Sequence, residues 1–275
     1  MHYYTETAVQ AATDAGALLL GNYKRHRVTI KGVSALSVAA RGLSKEITSQ
    51  DDHDADLLII EQIQARHPTH NILTEETGLI DNGSDFTWIV DPLDGSSNFV
   101  NHNPFFAVSI CLCHHNSPIT GVIFAPQLEE LVVARRGHGC TLNGRRVTVS
   151  TTPGLGSAYV VGCPGGDRDN RRFAEIGYVL HKSAKSFRMI GSAAIEAYMV
   201  AAGRADAFVT LNISPWDIAA GVICLQEAGG QVSDLHGNPW TMDETDLLLS
   251  NGTLHNDVLQ GIRSASIHLP LAGTA

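Results

Sequence analysis

The run Trp88-Ile89-Val90-Asp91-Pro92-Leu93-Asp94-Gly95-Ser96-Ser97-Asn98-Phe99 reads as a hydrophobic strand ending in two acids that flank Pro92-Leu93. Pro92 supplies no ladder donor and stiffens the chain, so Asp91 and Asp94 are expected to converge at the strand's C-terminal end, with the Leu93 carbonyl exposed between them. Carboxylates forced together raise one another's pKa and cost stability unless a cation neutralises them. Mg2+ suits such an oxygen-rich cluster, because it prefers octahedral oxygen ligands and combines one or two carboxylates with waters and phosphate oxygens. Gly95-Ser96-Ser97-Asn98 then offers backbone N–H groups and hydroxyls, and a helix starting there would present its N-terminus to a phosphate. Asp-Pro and Asp-Gly also mark ordinary turns, so this run by itself leaves a purely structural role open.

Two further acidic segments accompany it. Ile72-Leu73-Thr74-Glu75-Glu76-Thr77-Gly78 follows a short predicted strand, and Pro215-Trp216-Asp217-Ile218-Ala219-Ala220-Gly221 opens a predicted helix. Taken singly, the glutamates are compatible with solvated loop charges and Asp217 with a first-turn acid facing the helix dipole.

Composition narrows the partners. A net charge of −9 argues against nucleic-acid binding, which needs a surplus of Lys and Arg. An anionic substrate must therefore be met locally, by bound cations or helix N-termini. No apolar stretch reaches the roughly 20 residues that span a bilayer, and the opening Met1-His2-Tyr3-Tyr4-Thr5-Glu6 lacks the features of a secretory signal, so a cytoplasmic protein is expected. The five cysteines (Cys111, Cys113, Cys140, Cys163 and Cys224) are scattered and contain no Cys-x-x-Cys pair, which reads as reduced, buried thiols. Cys111, Cys113, His114 and His115 lie close together as a soft-metal site would require, but Phe105 to Cys113 is an apolar run that reads as a buried strand with a loop after it.

Periodicity predicts an amphipathic helix from about Tyr4 to Tyr23, an irregular Gly-rich stretch from Val28 to Leu43, and a second helix from about Asp54 to Arg66, stopped by Pro68. Short β runs follow at Asn71 to Leu73, Thr87 to Val90, Ala107 to Cys113, Thr120 to Phe124 and Leu131 to Ala134, predicting a mostly antiparallel sheet. After the Asn143-Gly144 hairpin signal, helices at Asp169 to His181, Ala193 to Ala202 and Asp217 to Ala228 alternate with strands at Ala207 to Leu211, Gln231 to Ser233 and Leu247 to Ser250. The expected architecture is layered α/β (α+β). It forms one domain over 1–275, with an N-terminal α+β half (about 1–150), a C-terminal α/β half (about 151–263) and a dispensable tail (264–275).

Together and in this order, the three acidic segments resemble the inositol monophosphatase family, whose hallmarks are a Glu-Glu pair, a W-x-x-D-P-x-D-G-x-x-N-F segment and a W-D-x-A-A-G segment. Gly191-Ser192-Ala193-Ala194, Ala202-Gly203-Arg204-Ala205-Asp206 and Glu227-Ala228-Gly229-Gly230 resemble the family's later segments. The resemblance implies a five-layered αβαβα sandwich, usually a homodimer, that hydrolyses a small phosphate monoester with Mg2+ and is inhibited by lithium. Carried over by position, Glu75, Asp91 and the Leu93 carbonyl would hold one Mg2+, Asp91, Asp94 and Asp217 a second, and a third, weaker ion would lean on Glu75. Such ions bridge phosphate oxygens, lower the pKa of a water and offset charge on the leaving oxygen. Ser96 with Asp52 would orient and deprotonate that water, so Ser96 is not a nucleophile. Gly95, Ser96 and Ser97 would contact phosphate; Gly191, Ser192 and Ala193 would line the organic part of the substrate, with Asp94 and Asp217 also facing it.

Three positions depart from the family pattern. Ser96 replaces a usual Thr, which keeps the hydroxyl; Arg41 replaces a common Lys, which is not neutral at a bidentate site. Thr210 stands where many inositol-cleaving members carry a Glu that binds sugar hydroxyls. Inositol monophosphate or a related sugar phosphate is the expected substrate. The alternatives on the same scaffold are fructose 1,6-bisphosphate, histidinol phosphate and nucleotide 3′-phosphates, although enzymes for the last usually have Lys-Glu where this chain has Ser97-Asn98. Fructose 1,6-bisphosphatases share Asp-Pro-Leu-Asp-Gly-Ser-Ser-Asn, but Phe99-Val100-Asn101 and Trp216-Asp217 resemble the monophosphatase branch. A haloacid-dehalogenase-type phosphatase would need a D-x-D spacing that Asp91 and Asp94 do not have. A non-catalytic phosphate-ligand sensor on this fold would be expected to have lost ligand residues, all of which are present here.

Overall fold

The computed structural model describes residues 2–30, 50–165 and 170–268. Helices α1 (His2–Ile30) and α2 (Gln50–Arg66) lie together over one face of an eight-stranded sheet. Its strands are β1 (Asn71–Thr74), β2 (Gly78–Ile80), β3 (Phe86–Asp94), β4 (Ala107–His114), β5 (Ser117–Ala125), β6 (Glu130–Arg135), β7 (Gly139–Leu142) and β8 (Arg145–Val147), in the order β2-β1-β3-β4-β5-β6-β7-β8. Only the β1–β3 pairing is parallel. The short helix α3 (Ser96–Val100) follows β3 directly.

The second sheet has five strands: β9 (Tyr159–Pro164), β10 (Ser186–Arg188), β11 (Ala207–Leu211), β12 (Gln231–Asp234) and β13 (Leu247–Ser250), in the order β10-β9-β11-β13-β12. Helices α4 (Asn170–Ser183) and α7 (His255–His268) cover its outer face, and α5 (Ala193–Ala201) and α6 (Pro215–Glu227) fill the space between the two sheets. The result is a five-layered αβαβα sandwich with three apolar layers between its sheets and helices. No helix among the described residues is long and apolar enough to cross a membrane.

Strand β4 shows how sequence dictates these layers. Its residues alternate faces, so Val108, Ile110 and Leu112 pack under α1 and α2 while Ala107, Cys111 and Cys113 face the inner layer. Both faces are buried, which is why the run is continuously apolar rather than alternating. The inner helices approach closely because their contact residues are small: a Cβ at Gly221 on α6 would lie 2.5 Å from the Ala197 Cβ on α5.

Several boundaries differ from those the sequence predicts. Helix α1 runs on to Ile30, so Val28 to Ile30, expected to be irregular, are helical, and residues 31–43 of that stretch lie outside the described residues. Helix α2 begins at Gln50, four residues early, which puts Asp51 and Asp52 in a first turn where the dipole favours acids. Strand β3 continues past the expected Val90 through Asp94, with a register shift between Asp91 and Asp94, so the two acids sit at its C-terminal end, as expected, on either side of a bulge. Pro92, which cannot donate to the ladder, sits in that bulge. Strands β2, β7, β8, β9 and β10 and helix α7 are additions. The Asn143-Gly144 hairpin between β7 and β8 has both residues at positive φ, 49° and 74°. The expected tail starts inside α7, and residues 269–275 are outside the described range.

Candidate active site

The acids meet where β1, β3 and the start of α6 come together. The parallel β1–β3 pairing puts Thr74 opposite Val90, and the Glu75 N–H donates to the Val90 carbonyl at 3.2 Å, which sets Glu75 beside Asp91. Asp91 is buried, and its Oδ1 accepts from the Leu93 N–H at 3.0 Å across the bulge. On the other side, Asp217 Oδ2 accepts from the Ser214 N–H at 3.1 Å, so it closes the first turn of α6, while Pro215 suits that helix start. Ser109 on β4 donates to the Trp216 carbonyl at 3.3 Å, anchoring the same turn to the sheet. As a consequence, carboxylate oxygens of Glu75, Asp91 and Asp217 lie within 4.8 Å of one another.

Asp94 is held from a third direction. Its carboxylate accepts from the Ser192 hydroxyl, from the Ala193 N–H at 3.1 Å and from the Ala194 N–H at 3.1 Å, all at the N-terminus of α5. The electrostatics follow from burial and crowding. Burial, then the charges of Glu75, Asp94 and Asp217, push Asp91 well above the carboxylate range. Withdrawal from water and the neighbouring Asp217, Glu76 and Asp52 raise Glu75 to about 8, although the residue as a whole is exposed. Burial and Asp217 raise Asp94 to about 7 against the pull of its three donors. Burial raises Asp217 to about 6, offset by the Ser214 N–H and by Asp91. Four acids in this state need added positive charge to be ionised together, and a donor set made only of oxygen fits Mg2+.

The other expected site residues are placed as follows. Asp52 is buried in the first turn of α2, close enough for its charge to bear on Glu75. The Ser96 hydroxyl donates to the Leu93 carbonyl at 3.0 Å, occupying one lone pair of that oxygen. Ser97 is exposed in α3, and Gly191, Ser192 and Ala193 lead into α5 beside Asp94. Arg41 lies outside the described residues. Thr210 is fully buried on β11 opposite Cys163, and its hydroxyl has no hydrogen-bond partner among the described residues, so this position presents no group at the surface.

Two residues to which the sequence assigns no side-chain role support the site. Asn98 donates through Nδ2 to the carbonyls of Phe105, Ile190 and Gly191 at 2.9, 2.9 and 3.0 Å, stitching the loop after β3 to the loop before α5. Glu196 is fully buried on α5, and its Oε1 accepts from the Ile190 N–H at 2.5 Å, fixing the approach to Ser192; burial raises its pKa to about 8. A lone acid in the apolar run Ala193 to Ala201 was the signal available for it. Gly95 joins β3 to α3 at φ +84°, and a Cβ there would lie 2.6 Å from the Phe105 carbonyl oxygen. Gly95→Ala is therefore expected to cost about 2–3 kcal/mol, read as a lower urea midpoint at unchanged m-value.

Comparison with known proteins agrees with this geometry. Residues 1–266 match the model of the inositol monophosphatase family. The chain belongs to that family. It is 38% identical over 217 residues to the fructose-1,6-bisphosphatase/inositol-1-monophosphatase of Thermotoga maritima, covering 78% of this chain and 82% of that one. It is 35% identical over 266 residues to the Nus factor SuhB of Escherichia coli K12, covering 96% and 97%. The solved structure of inositol monophosphatase from Anabaena superposes with a TM-score of 0.83 at 31% identity, covering 98% of each chain. This inositol monophosphatase family member is a phosphoric monoester hydrolase of a metal-dependent family, and its acidic cluster could hold the metal.

Proposed function

We propose that the protein is a Mg2+-dependent, lithium-sensitive phosphatase acting on inositol monophosphate or a related sugar phosphate. The observation that carries the reading is the convergence of Glu75, Asp91 and Asp217 within 4.8 Å, with Asp94 held beside them. Glu75, Asp91, Asp94, Asp217 and the Leu93 carbonyl would hold two to three ions. When bound, these supply positive charge to the phosphate oxygens and activation to the attacking water. The chain's own groups do the rest. The backbone N–H groups of Gly95, Ser96 and Ser97 receive the phosphate, the Ser96 hydroxyl with Asp52 orients the water and takes its proton, and Gly191, Ser192 and Ala193 border the leaving alcohol.

The dual name of the Thermotoga maritima relative supports including fructose 1,6-bisphosphate among the substrates. Buried Thr210 favours a polyol recognised with fewer charged contacts than a Glu at that position would give. The Nus factor name of the Escherichia coli relative supports a second reading, a non-catalytic role beside or in place of the enzymatic one. The family resemblance also supports a homodimer, and five cysteines without a disulfide support a cytoplasmic location. The interior layer shared by both sheets supports a single domain over the chain.

The test is phosphate release from inositol phosphates, fructose 1,6-bisphosphate, other sugar phosphates and adenosine 3′,5′-bisphosphate, with Mg2+ and with chelator. Release that depends on Mg2+ supports the reading, and its ranking across the panel names the substrate. Phosphate binding without release on any member would favour the non-catalytic role. In the same assay Li+ is expected to inhibit, and raising Mg2+ should relieve the inhibition if the two ions compete for one position. Complete insensitivity to Li+ would remove the lithium-sensitive part of the proposal.

A further inference from the structure

The hairpin joining β4 to β5 carries a side-chain cluster separate from the catalytic acids. Alternation along β4 turns Cys111 and Cys113 into the inner core, whereas His114 pairs across the strands with Phe86 and packs on its ring at 4.6 Å. His115 and Asn116 form the turn, at φ 47° and 59°. The His115 N–H donates to the Asp85 carbonyl at 2.9 Å, which brings the Asp85 side chain alongside, with His115 Nδ1 3.5 Å from Asp85 Oδ1. The two imidazole rings are 4.2 Å apart, and one ligand atom from each of Asp85, His114 and His115 lies within 4.8 Å of the others.

We propose that Asp85, His114 and His115 form a surface site for a divalent transition-metal ion of the Ni2+ or Zn2+ type. Two imidazole nitrogens and one carboxylate oxygen are the donors such ions select, whereas Mg2+ prefers the all-oxygen set of the catalytic cluster. Backbone pairing at Phe86–His114 and Asp85–His115 holds the three residues in place, with their ligand atoms already within 4.8 Å of one another. The side chains of His115 and Asp85 are 64% and 68% exposed, which leaves an entry path and further coordination positions for water. Asp85 is six residues upstream of Asp91, roughly 20 Å along an extended strand, so an ion here does not touch the catalytic acids.

The test is calorimetric titration of the chelator-treated full chain with Ni2+ in the presence of saturating Mg2+, which occupies the carboxylate cluster, together with proton NMR of the imidazole resonances. One Ni2+ per chain is expected to bind and to broaden the His114 and His115 ring signals. His115→Asn, which tolerates the left-handed turn, and Asp85→Asn are each expected to weaken that binding at least about tenfold while Mg2+-dependent phosphate release stays unchanged. Binding of equal strength in both variants, or no broadening at His114 and His115, would overturn the assignment.

Discussion

Asp94→Asn is expected to lower Mg2+-dependent phosphate release by at least about a thousandfold, which corresponds to roughly 4 kcal/mol of lost transition-state stabilisation, while the protein remains folded. The loss follows because an amide can neither balance a divalent ion's charge nor supply an equivalent anionic oxygen beside Asp91 and Asp217. Retention of the fold follows from the surroundings. Asp94 accepts from Ser192, Ala193 and Ala194; the amide oxygen keeps at least one N–H bond, the Ser192 hydroxyl can reverse to accept from the new NH2, and one backbone donor is left weakened. That costs on the order of 1–2 kcal/mol, offset by no longer burying a carboxylate that burial and Asp217 have already raised to about 7. Initial rates at saturating substrate, paired with a thermal unfolding scan, check both parts. Wild-type turnover in a folded Asp94→Asn protein would remove Asp94 from the machinery and with it the proposed mechanism.

Legibility of the site in the sequence varied with the range of the contact concerned. Asp91, Asp94, Glu75 and Asp217 could be picked out because each interrupts or closes an apolar run, and a charge at the edge of a buried strand or helix needs a reason. That the first three share a locality follows from β1 and β3 being neighbours in one sheet, but the parallel Thr74–Val90 register that sets Glu75 beside Asp91 is a tertiary fact. Asp217 arrives from more than a hundred residues away, carried there by the packing of α6 on the sheet and held by the Ser109–Trp216 contact. Glu196 stands out as a lone acid in an apolar helix, but the carbonyls and N–H groups of the 190–191 loop that Asn98 and Glu196 bind leave no pattern in a single sequence.

The fold divides in the same way. Period-2 and period-3.6 runs gave the long elements, whereas β2 and β10, three residues each, are too short to show a period and exist because a neighbouring strand supplies the partners. The apolar run predicts a strand over Thr87 to Val90; the ladder resumes at Asp94, opposite Ala107, because a bulge absorbs the proline. Position 210 shows the limit for specificity. A threonine in place of a glutamate changes what could bind, but the full burial of its hydroxyl on β11 is visible only in three dimensions.

The acidic cluster also makes the stability of the metal-free protein depend on pH in an unusual direction. Folded-state pKa values of about 8 for Glu75, about 7 for Asp94 and about 6 for Asp217 all lie above the ordinary carboxylate values, so the folded chain holds protons that the unfolded chain has released. Stability from these groups is fully present below about pH 4 and is lost as pH rises through about 6 to 8, because each step forces charge into a crowded, partly dry site. These acids should therefore lower the metal-free unfolding temperature at pH 8 relative to pH 5.5 by an amount corresponding to a few kcal/mol, partly countered by His67 and His255, which burial holds at about 4 and which favour the folded state as pH rises to about 6.5. Saturating Mg2+ should reverse the loss at pH 8, since an ion present at about a hundred times its Kd adds roughly 2.7 kcal/mol, and should do less at pH 5.5, where protons compete for the same oxygens. Asp217→Asn removes one of the raised acids and the charge that helps raise Glu75 and Asp94, so it should flatten the slope, raise the metal-free midpoint at pH 8 and weaken the Mg2+ response. Thermal scans of both proteins at the two pH values, with chelator and with Mg2+, decide the matter. A metal-free slope as steep in Asp217→Asn as in the wild type would mean that the acids do not carry it, and the case for cations at this site would fall with it.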